Sequence, residues 1–577
     1  MLFCDFTSAA SAIKGANRRM AAVVAISALS LLVIVKKLQI FAIIIPLLYP
    51  KNMVQAIHEL IREGVDSVQS RDELSSLKRI ITKKYKLDSI RNDEIIREYK
   101  LLVKEKKLKP SLDFEYLLRK RSVRTLSGIA PIAILTKSYP CPGTCAYCPR
   151  ETDVPVSYLA NEPAVMRAIR CNYHPYTQVA SRLRALENNG HEPTKMEVIV
   201  IGGTWSYLPD KYKYWYIANS FKAANDYRTQ GKLANSPYPQ DIKLSELKSL
   251  MLKEQKRNEN ARYRIIGLTL ETRPDYINKK ELEQMRELGC TRVEMGVQAV
   301  DDEILKINRR GHGVAAISQA TTMLKQYGFK ITYHLMPALP GSNPRLDLKL
   351  FSSLFTDARF QPDQIKFYPT VVTKGSLLYK WYKAGKYKPY SDKVLQNLIL
   401  KCKALVPPYV RIIRLIRDIP AESIIAGNKI TNLRQVMQQQ GAVCRCIRCR
   451  EPKTAAIGDH VLNVQSYPAS DGMEYFISFD SLDGETIYGF CRLRIDVHSP
   501  IAPAIIRELH VYGELAPVGG QKSVQHHGLG KRLMKEAERI ATQDKAGKVA
   551  VISGIGVRGY YRKLGYRLAG GYMIKKL

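Results

Sequence analysis

Three closely spaced cysteines constrain this chain more than any other feature. Cys141, Cys145 and Cys148 are spaced C-x3-C-x2-C within residues 139–149, which read YPCPGTCAYCP. Cysteine thiolates are the usual protein ligands of iron–sulfur clusters. Three of them can hold three irons of a [4Fe–4S] cluster and leave the fourth iron open to a small molecule. The alternatives are a disulfide and half of a zinc site. The spacing favours the cluster, because zinc normally takes four protein ligands and residues 149–168 contain no Cys or His.

Length and charge set the broad class of the chain. A chain of 577 residues is too long for one domain, and its length predicts three or four. The 90 Lys and Arg residues against 53 Asp and Glu residues give a net charge of +37, which indicates a polyanionic partner, most often nucleic acid. Six of the 11 cysteines fall in two tight triplets. Clustered thiols of this kind predict a reducing, cytoplasmic location and argue against a disulfide framework.

The first stretch of the chain, residues 1–52, is an apolar extension. Its apolar run is interrupted by Lys36 and Lys37, and each half is shorter than the ~20 apolar residues that a membrane span needs. Arg18 and Arg19 precede the run, as in the first part of a signal peptide. We favour a dispensable or wrongly assigned start, with translation beginning at Met53, over a membrane segment.

Residues 53–125 are predicted to be a basic helical region with interleaved aromatic residues. Basic clusters bind phosphates by releasing counterions, and aromatic rings stack on unpaired bases. The alternative is a solvated helix face with paired charges. The candidate RNA-binding residues are Lys106, Lys107, Lys109, Arg119, Lys120, Arg121 and Arg124.

Short apolar strands alternate with helical stretches over residues 126–400. Repeated βα units predict a parallel sheet, and polar residues at strand ends mark the site in barrel enzymes. One strand ends in Gly202, Gly203 and Thr204, where the double glycine lets a ligand approach the backbone closely.

The cysteine loop followed by this strand end resembles the radical S-adenosylmethionine (SAM) enzymes. The resemblance implies a partial (βα) barrel in which the Gly-Gly strand end binds the methionyl group of SAM. The resemblance also implies that Glu271 and Glu294 belong to the SAM pocket. The alternative is that these two carboxylates only cap or pair with other groups inside the barrel.

A second triplet, Cys444, Cys446 and Cys449, lies in a basic linker spanning residues 401–455. Three thiolates suit Zn²⁺ with a fourth ligand from elsewhere in the chain, and His460 and His510 qualify by residue type. The alternative is three free thiols in an RNA-facing loop.

The final region, residues 456–577, combines predicted strands with a glycine-rich loop at residues 525–530. Glycines that end a strand and open a helix present free N–H groups to a pyrophosphate. The loop and the later Tyr-Tyr-Arg-Lys-Leu-Gly segment resemble the GCN5-related N-acetyltransferase (GNAT) fold. The predicted fold class is therefore α/β, with a radical SAM partial barrel followed by a GNAT-type domain.

Several motifs together narrow the resemblance to the catalytic subunit of Elongator, a family that modifies the wobble uridine of tRNA. They include residues 162–168, 271–275, 293–298, 308–312, 334–337 and 366–370, and the match is close from residue 507 onward. The resemblance implies catalytic groups at Lys195 and Tyr561, with Tyr561 protonating the leaving thiolate. The implied acetyl-CoA contacts are Lys195, Glu508, Leu509, His510, Val511, Gln525, Gly528, Leu529, Gly530, Lys531 and Tyr561.

The same resemblance implies an acyltransferase reaction that uses both halves. A SAM-derived 5′-deoxyadenosyl radical would abstract hydrogen from the acetyl methyl group, and the carbon radical would add to C5 of uridine 34. Thioester hydrolysis would leave a carboxymethyl group. The expected partners are the tRNA anticodon stem-loop and either a second copy of the chain or Elongator-like subunits. The alternatives are a conventional GNAT lysine acetyltransferase with a structural cluster, and a non-catalytic tRNA-binding scaffold.

Overall fold

A computed structural model describes residues 51–118, 128–227, 238–239, 241–452, 457–512 and 528–577. Within them the chain forms two compact units, the first made of residues up to 118 with 188–191 and the second of the remainder. No helix in these ranges is long and apolar enough to cross a bilayer. Some of the predicted features lie outside the described residues, namely residues 1–50, Arg119, Lys120, Arg121, Arg124 and Gln525.

The first unit is helical. Its apolar side chains meet in one core that includes Leu60, Tyr99 and Phe114. Lys106, Lys107 and Lys109 fall between the last two helices and are exposed, and Lys107 pairs with Glu105 at 2.8 Å on the surface. The helices are α1 (Lys51–Ser67), α2 (Arg71–Lys84), α3 (Asn92–Lys104) and α4 (Leu112–Leu118).

The second unit begins with a parallel sheet of seven strands. Neighbouring strands pair in the order β1-β2-β3-β4-β5-β6-β8, so each strand connects to the next through a helical crossover, as the alternation of strands and helices predicts. The strands are β1 (Ala130–Leu135), β2 (Lys195–Ile201), β3 (Arg264–Thr272), β4 (Arg292–Gln298), β5 (Lys330–Leu335), β6 (Gln364–Phe367) and β8 (Arg411–Arg414), with a small antiparallel pair β7 (Val372–Thr373) and β9 (Ile424–Ala426).

Helices cover this sheet and bury it. The strand β4 is almost wholly buried. Its apolar residues Val293, Met295 and Val297 belong to the hydrophobic core, whereas the alternate residues Arg292, Glu294, Gly296 and Gln298 line the interior cavity. The helices of this part are α5 (Pro163–Arg170), α6 (Pro175–Asn188), α7 (Asp210–Asp226), α8 (Leu244–Asn258), α9 (Lys279–Glu287), α10 (Asp302–Ile307), α11 (Val314–Gln326), α12 (Pro344–Thr356), α13 (Leu377–Lys383), α14 (Asp392–Leu405) and α15 (Leu433–Gln439).

A second, mostly antiparallel sheet follows, in the order β10-β11-β12-β13-β14-β16-β15. The strands β13 and β14 run parallel and pair only from Ala504 to Ile506, so they separate beyond that point and open a cleft. The helix α16 packs its apolar face on the sheet. The elements are β10 (His460–Ala469), β11 (Gly472–Ser481), β12 (Ile487–Ile495), β13 (Ala504–Val511), α16 (Leu529–Gln543), β14 (Lys548–Val551), α17 (Arg558–Arg562), β15 (Arg567–Ala569) and β16 (Tyr572–Lys576).

The two sheets share one hydrophobic core. It runs from the strands of the barrel to Ile505, Ala550 and Ile555 of the second sheet. The contact is too tight for added side chains, because a Cβ on Gly554 would lie 2.0 Å from the carbonyl oxygen of Ile266.

Buried charges also cross this boundary. Arg507 of β13 donates to the carbonyl of Phe329 at 2.7 Å and to the Asp363 carboxylate at 3.0 Å. It also donates to Glu474 at 3.1 Å, and Lys325 of the barrel lies 3.4 Å from the same glutamate. The barrel and the second sheet are therefore joined by a network of fully buried ion pairs.

Candidate active site

The cysteine loop is fixed between two other segments of the barrel. The backbone N–H of Ala146 donates to Asn308 at 3.0 Å, and the carbonyl of Ala146 accepts from Leu378 at 2.7 Å. Cys145 is buried, whereas Cys141 and Cys148 are half-buried. The loop therefore presents its three thiols from a rigid position at one end of the barrel.

The spread of these thiols suits a cluster better than a single ion. Within the described residues, the only three-cysteine group whose sulfurs all lie within 4.8 Å of one another is the second triplet. The first triplet is more widely spread, as several irons require. The Cys148 thiol, followed by the Arg310 and Arg273 guanidinium groups, lowers the pKa of Cys145 to about 4 against the effect of burial, and thiolates are the form that binds metal.

The glycine strand end lies directly beside this loop. Gly202 and Gly203 have φ angles of +132° and +94°, which other residues rarely adopt. A Cβ on Gly202 would lie 2.2 Å from Thr136 Oγ1, and that hydroxyl donates to the Gly202 carbonyl at 3.2 Å. The Thr204 hydroxyl is 3.9 Å from Cys141 Sγ, so this strand end and the cluster loop border the same space.

Glu294 and Glu271 both reach this space but differ in their surroundings. Glu294 is fully buried, bonds to Lys366 and lies 3.0 Å from His334 Nε2. Burial opposes its ionisation, but Lys366 and then His334 hold the pKa of Glu294 well below its usual range. Glu271 accepts from Tyr158 at 3.0 Å. Glu294 thus serves the barrel's internal pairing, while its Oε1 lies 3.9 Å from Arg292 Nη2 and has no hydrogen-bond partner among the described residues.

The other end of the barrel meets β13 of the acetyltransferase-like sheet. Glu508 accepts from Arg492 at 3.0 Å and from Lys330 at 3.4 Å. Burial alone would raise the pKa of Glu508, but Lys330 and Arg492 lower it to about 2. The carboxylate is therefore fixed in place by two cations.

His510 lies two residues further along β13, between Phe490 and Tyr512, with ring centroids 5.7 and 4.4 Å away. Burial lowers the pKa of His510 to about 4, so the ring is neutral at pH 7. Its Nε2 has no hydrogen-bond partner among the described residues.

Tyr560, Tyr561 and the start of α16 also lie at the end of the barrel that meets β13. Burial raises the pKa of Tyr561, which keeps its hydroxyl protonated. Gly528 precedes α16 with a φ of +72°, and a Cβ on Gly530 would lie 3.0 Å from the Tyr560 hydroxyl. The start of α16 thus lies against the tyrosine pair.

Lys195 stands at the start of β2, paired in register with Arg264. Burial, and then the neighbouring Arg264, lower the pKa of Lys195. Gly556 of the second sheet packs against Arg264, since a Cβ there would lie 2.6 Å from the Arg264 Cβ. Lys195 is therefore at the boundary between the two sheets.

One cavity of about 1370 Å³ connects the two ends. Its middle is the polar lumen of the barrel, where Arg292 pairs with Glu197 at 2.9 Å. The sequence-predicted residues that line it are Cys141, Cys145, Cys148, Gly203, Thr204, Glu271, Glu294, Cys449, Glu508, Leu509, His510 and Tyr561. The described candidates for SAM and acetyl-CoA binding that do not line it are Lys195, Gly202, Val511, Gly528, Leu529, Gly530 and Lys531.

The second cysteine triplet forms a compact sulfur group at the edge of the barrel. Cys444, Cys446 and Cys449 fit a single metal ion by distance, and no histidine from the described ranges joins them. His460, one candidate for the fourth ligand, instead lies 3.2 Å from Arg532. The structure thus brings the three thiols together and leaves the fourth ligand unassigned.

Sequence reasoning missed the arginines that surround the cluster loop. Arg310 Nη1 lies 3.4 Å from Cys145 Sγ, and Arg273 Nη1 lies 3.8 Å from it. Both stand in motifs that carried the family resemblance but received no chemical role. In the sequence they are marked only by their positions, Arg273 directly after the strand that ends at Thr272 and Arg310 shortly after the helix that ends at Ile307.

Comparison with known proteins agrees with this architecture. The Radical SAM superfamily model matches residues 136–347, the Radical SAM C-terminal domain model residues 362–441, and the Acetyltransferase (GNAT) family model residues 449–566. The predicted fold class is confirmed.

Two named relatives each match about four fifths of this chain. The tRNA uridine(34) acetyltransferase of Dehalococcoides mccartyi (strain CBDB1) is 44% identical over 478 residues, which cover 79% of this chain and 100% of the relative. Elongator complex protein 3 of Homo sapiens is 39% identical over 490 residues, which cover 80% and 86%.

A solved structure, the archaeal Methanocaldococcus infernus Elp3 with an N-terminal deletion (1–46), is 38% identical. It covers 78% of this chain and 99% of its own, with a TM-score of 0.65. The chain described here therefore belongs to the family of the Elongator catalytic subunit, in which a radical SAM domain is joined to a GNAT-type acetyltransferase domain.

Proposed function

We propose that this chain is a tRNA uridine(34) acetyltransferase that attaches an acetyl-CoA-derived group to C5 of the wobble uridine. The names of its relatives support the substrate. When bound, SAM and a [4Fe–4S] cluster supply a 5′-deoxyadenosyl radical, and acetyl-CoA supplies the acetyl group. The protein's contribution is to hold and orient these groups.

The observation that carries this proposal is that one cavity is shared by the two candidate sites. The strand β2 runs seven residues between its two ends, roughly 23 Å at about 3.3 Å per residue. The cluster end and the acetyl-CoA end are therefore too far apart for direct contact, yet they open into one enclosure of about 1370 Å³. The acetyl-bearing arm of the coenzyme has to extend into the barrel lumen, where a radical formed at the other end can meet it.

The two ends of the cavity bind different cofactors in this proposal. Cys141, Cys145 and Cys148 hold the cluster, and the strand end at Gly202, Gly203 and Thr204 binds SAM with help from Glu271 and Glu294. Next to the other end, outside the cavity lining, the start of α16 at Gly528, Leu529, Gly530 and Lys531 binds the pyrophosphate of the coenzyme, together with Gln525.

The thioester end of the coenzyme is placed against β13. Glu508, Leu509, His510 and Val511 border it, and Lys195 approaches from the barrel. Tyr561 donates a proton to the departing thiolate. Burial raises the pKa of Tyr561, so its hydroxyl is protonated at pH 7 and is in the donor form that this role needs.

The RNA partner is the tRNA anticodon stem-loop, attracted by the net charge of +37. The exposed Lys106, Lys107 and Lys109, with the four arginines and lysines of residues 119–124, form the proposed RNA surface of a domain spanning residues 53–125. The remaining proposed domains are 126–400 for the radical chemistry, 401–455 for the linker and 456–577 for acetyl-CoA. Assembly with a second copy of the chain or with Elongator-like subunits remains a prediction.

The linker triplet is proposed to bind Zn²⁺ through Cys444, Cys446 and Cys449, whose sulfurs all lie within 4.8 Å of one another. Zinc sites of this kind are structural and fix a loop in place. Separate iron and zinc counts on the purified protein test the assignment.

A conventional lysine acetyltransferase is the second candidate, and it predicts acetylation of protein amines without SAM or reductant. It is disfavoured because it leaves Cys141, Cys145 and Cys148 without a catalytic role, although they line the same cavity as Glu508 and Tyr561. A non-catalytic scaffold predicts tRNA binding without SAM cleavage.

The deciding experiment is anaerobic incubation of the reconstituted protein with SAM, acetyl-CoA, a reductant and unmodified tRNA, followed by nucleoside mass analysis. We expect carboxymethylated uridine from the wild type and none from Cys145→Ser. Cys171→Ser, which changes a half-buried cysteine outside the cavity, is the matched control and should retain activity. Amine acetylation without any modified uridine would establish the lysine acetyltransferase instead.

A further inference from the structure

Two family motifs, residues 271–275 and 308–312, place an arginine each against the same cluster cysteine. Arg273 and Arg310 are both 5% exposed. Arg310 Nη1 is 3.4 Å from Cys145 Sγ and Arg273 Nη1 is 3.8 Å from it, within hydrogen-bonding range for sulfur. Two cationic donors therefore meet at one thiol.

Neither arginine is free to point elsewhere. Arg273 donates to the Asp275 carboxylate at 3.0 and 2.8 Å and to the Arg310 carbonyl at 2.7 Å. Arg310 donates to the Gly296 carbonyl. In Arg273 both Nε and Nη2 are engaged, and in Arg310 Nη2 is engaged, so Nη1 of each arginine remains for the sulfur.

The cysteine loop leaves room for this contact. A Cβ on Gly143 would lie 2.3 Å from Arg273 Nη1, so the glycine between the first two cysteines is required by the arginine. The other cysteines have weaker donors, since Cys141 Sγ accepts from the Gly143 backbone at 3.5 Å and neighbours the Thr204 hydroxyl at 3.9 Å. The cationic contacts are thus concentrated on Cys145.

The charge of Arg310 has no carboxylate to balance it. Arg273 is paired with Asp275, but in the described part of the chain no Asp or Glu lies within 4.0 Å of Arg310. A fully buried cation is costly without an anion beside it, and Cys145, as a thiolate, supplies that anion at 3.4 Å. An anionic cluster held by thiolates is the group that would balance it, and each added electron increases that negative charge.

We propose that Arg310, assisted by Arg273, sets the reduction potential of the bound cluster through the Cys145 sulfur and makes the cluster easier to reduce. The inference rests on the proposed cluster site. The step concerned is the uptake of one electron by the oxidised [4Fe–4S]²⁺ cluster from a low-potential one-electron donor, which gives [4Fe–4S]⁺ and breaks no bond. Hydrogen bonds to cluster sulfurs are a known determinant of such potentials, and those from charged donors are the stronger ones.

The test compares reconstituted wild type with Arg310→Gln in a potentiometric titration followed by electron paramagnetic resonance, with dithionite as the electron donor. We expect the ratio of reduced to oxidised cluster at a fixed potential to fall about tenfold, equal to a shift of about 59 mV for a one-electron couple. Arg273→Gln should shift the potential in the same direction by less, because its contact is longer. Arg309→Gln is the matched control, since that neighbouring arginine is exposed and its removal should leave the potential unchanged.

Iron content is measured first, and four irons per chain are required of each variant. If Arg310→Gln does not retain them, Arg310→Lys keeps the charge and should give a potential between those of the wild type and Arg273→Gln. Failure of both Arg310 variants to hold the cluster would assign the arginine to cluster retention and overturn the proposal. An unchanged potential in Arg310→Gln would overturn it as well. A wild type that holds the cluster but forms no modified uridine would sink the proposed function while leaving this test intact.

Discussion

The buried ion network between the two sheets predicts that the barrel and the acetyltransferase domain unfold together. The perturbation is Arg507→Met, which keeps the side-chain length but removes the charge. Arg507 is 1% exposed and donates to Asp363, Glu474 and the Phe329 carbonyl. Its loss leaves buried carboxylates without their main cation.

Removing one partner of a buried ion pair costs about 3–5 kcal/mol. At a slope of about 3 kcal/mol per M of urea, this moves the unfolding midpoint down by roughly 1–1.7 M. The matched control is Arg359→Met, which removes an Arg–Asp pair of 2.7 Å in which the arginine side chain is 61% exposed. Surface pairs contribute about 0.2–1 kcal/mol, so this variant should unfold close to the wild type.

The assay exploits the positions of the three tryptophans, Trp205, Trp215 and Trp381, which all belong to the barrel half. Tryptophan fluorescence therefore reports the barrel, whereas far-UV circular dichroism reports both halves. Although Arg507 lies on the second sheet, we expect its substitution to shift both signals equally. A shift of the circular dichroism transition alone would show that the halves unfold separately and would refute the reasoning.

Three further outcomes are expected. Gly202→Ala should raise the Kd for SAM about tenfold in equilibrium dialysis, because a positive φ costs about 1–3 kcal/mol for other residues and the new Cβ would lie 2.2 Å from Thr136 Oγ1. The control Gly441→Ala, at a position with φ of +74° and no atom within 4 Å of the added Cβ, should leave the Kd unchanged. Equal effects of the two substitutions on the Kd would contradict the argument. The pKa of Glu508 is about 2 in the folded chain against about 4.3 unfolded, so its stabilising contribution is complete above about pH 4.3 and is lost as the pH falls toward 2. Urea midpoints over this range should fall less steeply in Glu508→Gln than in the wild type, and parallel curves would exclude the carboxylate. Cys446→Ser should lose zinc in elemental analysis while keeping four irons per chain, whereas joint loss of both metals would contradict two separate sites.

Much of the barrel could be predicted from the sequence because its strands are short apolar runs that end in polar residues. The strands Arg264–Thr272 and Arg292–Gln298 both lie within residues 126–400, where the alternation of strands and helices is predicted. The strand His460–Ala469 was not predicted, since it is a sheet edge with most residues exposed and shows no apolar alternation. A strand is recognised in the sequence by the apolar residues that it buries, and an edge strand buries few of them.

The cavity could not be predicted, because it depends on contacts between residues far apart in the chain. Gly554 against Ile266 and Gly328 against Ile505 bring the cleft of β13 over the lumen of the barrel. Each glycine looks like an ordinary turn residue in the sequence. The role of Glu294 was likewise ambiguous, since only the folded chain shows Lys366 and His334 at its carboxylate.

The pairing of Asp363 with Arg507 has a consequence for how such chains can change. One partner comes from the loop before β6 of the barrel and the other from β13, 144 positions later. Neither domain can be replaced by a counterpart from another protein without leaving an unmatched charge at the seam. The two modules are therefore coupled at this seam, and substitutions there should be tolerated only in pairs.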